Sequence, residues 1–213
     1  MATAELARVD QRVVLRGVSW DTYRQLAADC ADSHAAHFFY DRGMLEIMVL
    51  SFEHESLNRL LATLFEVVAE EREIDFENAG STTYQDEDLS RGFEADTAFY
   101  VEHAAAVRGK KQIDLRIDPP PDVVMEVDVS RSSVTKLPTF AAVGVGEVWQ
   151  AEEGRVRIWL LTDGKYVASE ESRALPGLQA KEIESWLAKR EEMTRVEWLK
   201  ALRAWVQQRF GAS

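Results

Sequence analysis

The sequence predicts an α/β fold in which a mixed central sheet is flanked by helices. Three observations carry the prediction. Residues 123–127 (Val123, Val124, Met125, Glu126, Val127) are nearly continuous in apolar character, as a strand covered on both faces requires. Leu57, Leu60, Leu61, Leu64, Val67 and Val68 recur at helical spacing and mark the buried stripe of a long helix. A helical stretch from 130 to 146 then separates the buried strand from another near 147–151. Two strands joined in this way within one sheet form a parallel pair with a right-handed crossover.

The remaining elements follow in order. A helix is expected over about 20–29, capped by Ser19 or Asp21, with Tyr23, Leu26 and Ala27 on one face. Strands at 37–40 and 45–50 flank Asp41-Arg42-Gly43 and read as a hairpin. The long helix covers about 53–72, and short strands follow near 74–77 and 82–84. GFEADTAFYV, residues 92–101, reads as one strand entered from a glycine turn. Residues 103–121 form a surface excursion with a short helix, closed by Pro119, Pro120 and Pro121. The helix after 130 tolerates Pro138 only in its first turn, and Gly144 is its C-cap. Three strands with turns at Glu153-Gly154 and Asp163-Gly164 come next. The tail, 181–210, is helical, with Trp186, Leu187, Trp198, Leu199, Leu202 and Trp205 on its apolar side.

The chain has 213 residues, 46% hydrophobic and 29% charged, near the globular norms of about 45–50% and about 25%. It is read as a single domain, 1–213, large enough to bury a core without staples. Lys and Arg number 25 and Asp and Glu 37, giving a formal net charge of −12. That balance excludes a protein that coats nucleic acid non-specifically, because phosphate binding needs clustered cations. It does not exclude a nuclease, whose metal-holding carboxylates are part of the same sum. Cys30 is the only cysteine, so no intramolecular disulfide forms and a reducing compartment is favoured. No apolar run reaches membrane-spanning length, and the N-terminus lacks a signal-peptide core. The expectation is a soluble cytoplasmic protein.

Three carboxylates stand where carboxylates are expensive. Asp96 interrupts an apolar strand, and Glu126 and Asp128 lie within the most hydrophobic strand, on one face of it. Two carboxylates on one strand face, joined by a third from a neighbour, suit Mg²⁺ or Mn²⁺. Zinc is disfavoured by the single Cys and the lack of helical His pairs. Lys136, one turn into the following helix, could orient a water or stabilise phosphate charge. The competing readings are strand-end carboxylates exposed at the sheet edge and an ordinary surface lysine. His34, His37 and His103 have no partner at useful spacing, and Cys30 reads as a packed thiol. No Gly-rich phosphate loop is present, so no nucleotide cofactor is expected. Arg108, Lys110 and Lys111 form the one basic patch that offers a nucleic-acid contact, against a plain solvated loop as the alternative.

These motifs together resemble a known family. GFEADTAFYV, PPPDVVMEVDVSRSSVTK and FAAVGVGEVWQ, with SWDTY and YDRGMLEIMVLSFEHESLNRLL, are similar to the bacterial family of putative restriction endonucleases with the PD-(D/E)XK nuclease fold. The resemblance covers about 18–190 and implies a restriction-endonuclease-like mixed sheet, an N-terminal helix and hairpin, and C-terminal helices. It implies that Asp96 and Glu126 are metal ligands. Asp128 stands where other nucleases of this fold carry their lysine, and Lys136 takes the lysine's place from the following helix. His54 and Glu55 match the first core helix, whose acidic residue, here Glu55, completes such a site, with Glu53 and Glu46 as competitors. Glu94 and Asp122 are possible outer groups. Two departures are Ala95, in place of proline before Asp96, and Pro138, close behind Lys136. The implied activity is Mg²⁺- or Mn²⁺-dependent endonucleolytic hydrolysis of DNA, by a homodimer. The alternative is a catalytically inactive binding or assembly module on the same fold.

Overall fold

The computed structural model describes residues 10–30, 36–129 and 135–211. Two sheets stack between helices. The first holds β1 (Gln11–Arg16), β2 (His37–Asp41), β3 (Met44–Val49), β5 (Thr83–Asp86) and β6 (Arg91–Glu94). Its order is β1-β3-β2-β6-β5, with antiparallel pairing throughout. The second holds β4 (Glu77–Gly80), β7 (Thr97–Tyr100), β8 (Val123–Asp128), β9 (Glu147–Glu152), β10 (Arg155–Thr162) and β11 (Lys165–Ser169). Its order is β11-β10-β9-β8-β7-β4, and β8 runs parallel to β9. The helix between those two strands is α4 (Leu137–Val143). The parallel pair and its connecting helix are as the sequence predicts.

The alternation of β8 explains the layering. Val123, Met125 and Val127 face a core built with α2 (Phe52–Glu71), α5 (Ala180–Lys189) and α6 (Arg195–Phe210). Val124 faces the other way, into a core with Phe39, Tyr84 and Phe93 of the first sheet and Phe140 of α4. Glu126 and Asp128 continue the Val124 face. The outer side of the first sheet is covered by α1 (Trp20–Asp29), whose Tyr23 stacks on Tyr40 at 4.8 Å between centroids. Ser19 caps α1 by accepting from the Thr22 N–H.

Several expectations change in the structure. GFEADTAFYV is not one strand: β6 and β7 belong to different sheets, with Ala95 and Asp96 at the corner. Helix α2 fixes that corner, since the Asn58 amide donates to the Asp96 carbonyl (3.0 Å) and accepts from the Thr97 hydroxyl (2.8 Å). The strand expected at 74–77 begins only at Glu77, because the Ile74 N–H closes α2 by donating to Ala69. Strand β1 is absent from the sequence reading, having only β3 as a partner and no turn signal behind it. The helical tail breaks in two at a capping box, where Thr194 and Glu197 satisfy each other's backbone N–H. Trp198, Leu202 and Trp186 of this tail are buried against α2 and the sheet. The short helix expected in the excursion is α3 (Ala104–Val107). Among the described residues, no helix is long and apolar enough to cross a membrane.

One glycine is required by close packing. A Cβ on Gly92 of β6 would lie 2.2 Å from the Tyr23 hydroxyl. Gly92→Ala is therefore expected to cost about 1–3 kcal/mol by overpacking. The measurement is the denaturant midpoint, and an unchanged midpoint would show that α1 packs differently.

Candidate active site

The corner and the end of β8 bring the carboxylates together. Asp96 is 3% exposed, and its carboxylate accepts from the Val127 N–H at 2.7 Å. The side chain thus extends, by one bond, the β8 pairing that the backbone takes up at Thr97. The same oxygen, Oδ2, lies 2.9 Å from Nε2 of His54, which is fully buried in the first turn of α2. His54 Nδ1 lies 2.9 Å from Asp10 Oδ2, and Asp10 also accepts from the Ser51 N–H at the cap of α2. Glu126 projects from β8 beside this group, with Lys136 Nζ 2.5 Å from its Oε2. Asp128, two residues on, receives Arg12 of β1 at 3.1 Å. The same guanidinium reaches Asp10 at 3.5 Å and Glu46 at 3.6 Å. An open cleft of about 250 Å³ adjoins the group, walled by Arg12, Glu126, Asp128 and Lys136.

Burial and charge set the protonation states. Burial pushes Glu126 up to about 7; Lys136 opposes this and Asp96 adds to it. Burial disfavours the His54 imidazolium, but Asp96 and Asp10 outweigh it and hold the pKa up at about 9. Burial likewise opposes the charge on Asp96, yet His54, Lys136 and the Val127 N–H keep it below the ordinary carboxylate value. Lys136 is held above the ordinary lysine value by Glu126 and Asp96, despite its burial. It is therefore a fixed cation, suited to stabilising negative charge and unsuited to accepting a proton.

The structure assembles Asp96, Glu126, Asp128 and Lys136, four of the residues singled out in the sequence. It corrects the place of Lys136, which is the N-cap of α4 rather than a residue one turn inside it. Pro138 is the reason: lacking an N–H, it sits at the second helical position and sets where the helix begins. Residues 130–134, between strand and helix, lie outside the described residues. Glu55 is not brought in. Its side chain is 41% exposed and pairs with Arg59 one turn along α2, because the inward position of that turn belongs to His54. Glu53 is exposed too, whereas Glu46 is buried and joins the cluster through Arg12. Glu94 is close enough to Lys136 to feel its charge. Asp122 is not: it binds the N–H groups of Val101 and His103 at the far end of β7 and β8.

The basic patch lies at that far end as well, some 17 Å of extended strand from Val127 at about 3.4 Å per residue. There Arg108 pairs with Asp75 and Glu77, and Lys110 with Asp118. Lys111 is exposed beside them. Asp10 and Arg12 were not legible as site residues, because nothing in QRVVLR marks one inward arginine as functional.

Among the described residues, no group of three or more His, Cys, Asp or Glu is disposed to hold a metal ion. Mg²⁺, however, keeps much of its water shell and is commonly held by one or two carboxylates. Asp96 Oδ1 and Glu126 Oε1 answer to that description, being buried carboxylate oxygens with no hydrogen-bond partner. The charged surroundings agree. Among the described residues, ion pairs join Asp10, Glu46, Asp96, Glu126 and Asp128 to Arg12, His54 and Lys136, an acidic setting of the kind that draws cations. The residues fit a hard divalent cation.

The metal-free protein should lose stability as pH rises. The folded pKa of Glu126 lies above its ordinary 4.5, so folding binds a proton that is released between pH 4.5 and about 7. The His54 contribution is complete below 6.5 and is lost as pH rises through about 9. Asp10 and Asp96 are lowered, so their contributions are lost only as pH falls below 3.8. Thermal unfolding in chelator should show a decline on the order of 1–3 kcal/mol from pH 5 to 9. His54→Gln should flatten the part above pH 7; a rise across that range would contradict the assignment.

The comparisons with known proteins agree with this geometry. The family model Uma2, described as "Putative restriction endonuclease", matches residues 20–189. That span includes Asp96, Glu126, Asp128, Lys136 and His54, while Asp10 and Arg12 lie before it. The fold is similar to a crystal structure described as a "putative nuclease belonging to DUF820" from Anabaena variabilis ATCC 29413. The TM-score is 0.56 at 12% identity, over 80% of this chain and 99% of that one. No curated protein matches the sequence. A family match across four-fifths of the chain, on a nuclease-like fold with its acidic strand end in place, leads to one conclusion: the chain belongs to the Uma2 family of putative restriction endonucleases.

Proposed function

We propose that this protein is a Mg²⁺- or Mn²⁺-dependent endonuclease that hydrolyses DNA phosphodiester bonds. The observation that carries the reading is the pair of buried, unpartnered oxygens, Asp96 Oδ1 and Glu126 Oε1, beside a lysine held as a cation. Asp96 and Glu126 would hold the metal, with Asp128 alongside. When bound, the metal lowers the pKa of a water and neutralises charge on the scissile phosphate. The Val127 N–H and His54 hold Asp96 in one orientation, which fixes where its free oxygen points. Lys136 Nζ releases Glu126 Oε2 toward the arriving phosphate and stabilises the negative charge that develops on it. Arg12 pairs with Asp128 and offsets the charge it brings to the strand face it shares with Glu126. The reading takes the chain as one nuclease domain and includes a two-fold homodimer, whose symmetry matches that of a duplex.

A second reading is supported by the net charge of −12 and by the pairing of Arg12 and Lys136 with carboxylates. It is a nuclease fold without turnover, serving in binding or assembly. Plasmid cleavage separates the two. Purified protein with Mg²⁺ or Mn²⁺ is expected to nick or linearise supercoiled DNA, and chelator to stop it. Asp96→Asn and Glu126→Gln should abolish cutting with circular dichroism unchanged. Lys136→Met should slow it by about 10²–10³-fold while the metal still binds. Normal cutting by Glu126→Gln would sink the assignment, and metal binding without products from any substrate would favour the inactive module.

A further inference from the structure

The parallel register of β8 and β9 sets Gln150 beside Glu126, one strand away and on the same face of the sheet. Gln150 lines the cleft together with Glu126 and Lys136. Its amide has a settled orientation. The indole N–H of Trp159, on β10, can only donate, and it meets Gln150 Oε1 at 3.3 Å. The oxygen is therefore turned toward Trp159, and the NH₂ is the end left over. Among the described residues, that NH₂ donates to nothing. Glu126 Oε1, an acceptor on the neighbouring strand, is also without a hydrogen-bond partner. A donor and an acceptor at registered positions have not paired with each other, an arrangement that suits a ligand meeting both.

From this we infer that Gln150 is a substrate-contacting residue, whose NH₂ donates to a non-bridging oxygen of the phosphate that reacts beside Glu126. The free end of the amide can only give a hydrogen bond, so its ligand is an acceptor. A bond from it to an anionic oxygen is roughly twice as strong as one between neutral groups. The amide also carries no charge. On a wall that includes Glu126, Asp128 and Glu152 it is not drawn into an ion pair with its neighbours. Lys136 has to exchange its bond to Glu126 for one to the phosphate, whereas Gln150 has no bond at that end to give up. Trp159 acts through Gln150 as a positioning residue, because its N–H keeps the amide from turning its oxygen toward the anion. The inference rests on the nuclease reading for the identity of the anion. It goes beyond that reading in giving β9 and β10 a part in holding the substrate.

The test joins binding to turnover. A deoxynucleoside 5′-monophosphate is titrated into the full chain by calorimetry, with Ca²⁺ to avoid hydrolysis. Mn²⁺ is titrated alone in parallel, and plasmid cleavage is timed. Gln150→Leu should weaken nucleotide binding about tenfold, the value of one hydrogen bond to a charged ligand, and slow cleavage by at least as much. Its affinity for Mn²⁺ alone should not change. Trp159→Phe should shift nucleotide binding in the same direction by less. Added to Gln150→Leu it should cost nothing further, since it acts only through the amide. Trp159→Phe also serves alone if Gln150→Leu does not fold. Nucleotide binding that neither variant alters, or no nucleotide binding by the unaltered protein, would overturn the inference. So would a parallel loss of Mn²⁺ affinity in Gln150→Leu, which would make the amide a support for Glu126. Cleavage that persists with either of these results leaves the nuclease reading standing. Nucleotide binding that Gln150→Leu weakens, without cleavage of any substrate by the unaltered protein, would sustain the phosphate contact and remove the nuclease reading.

Discussion

Asp96 is carried at the corner where the chain leaves one sheet for the other, and a charge buried there has to be compensated from several directions. A carboxylate shut away from water is destabilising by several kcal/mol unless it is hydrogen-bonded and paired. Here the compensation is distributed across the fold. Strand β8 supplies the Val127 N–H, and helix α2 supplies His54 and, through Asn58, a clasp on the backbone of the same residue. Asp10 of the N-terminal segment then satisfies the far nitrogen of His54 and caps toward Ser51. Sheet, helix and N-terminal strand are thus bound to one another through a single acidic side chain. Removing it would disturb the packing of all three, which is why a neutral amide is the informative substitution and alanine is not.

The same accounting explains how a lysine reaches the site from outside the strand. On β8 the face that continues Val124 carries Glu126 and then Asp128, and Asp128 is committed to Arg12. No cation on that strand reaches Glu126. Proline supplies the alternative: Pro138, in the first turn of α4, goes with a helix that begins just after Lys136, which leaves the lysine at the cap with its ammonium against Glu126. Gly144, at φ 93°, ends the helix and returns the chain to β9 in parallel register. A lysine ten residues from its carboxylate in sequence becomes its closest charge in space.

What was legible in the sequence follows from what sequence periodicity measures. The buried stripe of α2, the alternation that puts Glu126 and Asp128 on one face, and the glycine turns at 153–154 and 163–164 are local signals, and they report local geometry directly. The division of GFEADTAFYV between two sheets is not local. Its cause, the Asn58 clasp, lies 38 residues upstream. The family resemblance points to Glu55 as the acidic residue of this helix, but the rotation of α2 about its axis decides which of two adjacent residues points inward, and it is His54. Arg12 belongs to an edge strand with weak pattern and Asp10 directly precedes it, and only the pairing of β1 with β3 shows that Arg12 faces the cleft.

An acidic protein that acts on an anionic polymer has to solve a problem of approach, and the cluster states its terms. Among the described residues, Asp10, Glu46, Asp96, Glu126 and Asp128 gather round Arg12, His54 and Lys136 at the place where a phosphate would react. Burial raises the pKa of Glu126, which favours a proton on one of these carboxylates. A proton and a divalent cation would compete for the same oxygens. With Arg12 and Lys136 held by carboxylates, attraction for a strand then depends on what else the cleft offers. Of its apolar lining residues Phe140 and Val148 are each 1% exposed, so Arg12, Glu126, Asp128, Lys136 and Glu152 make much of the accessible wall, and attraction for an anionic strand depends on neutralising those carboxylates.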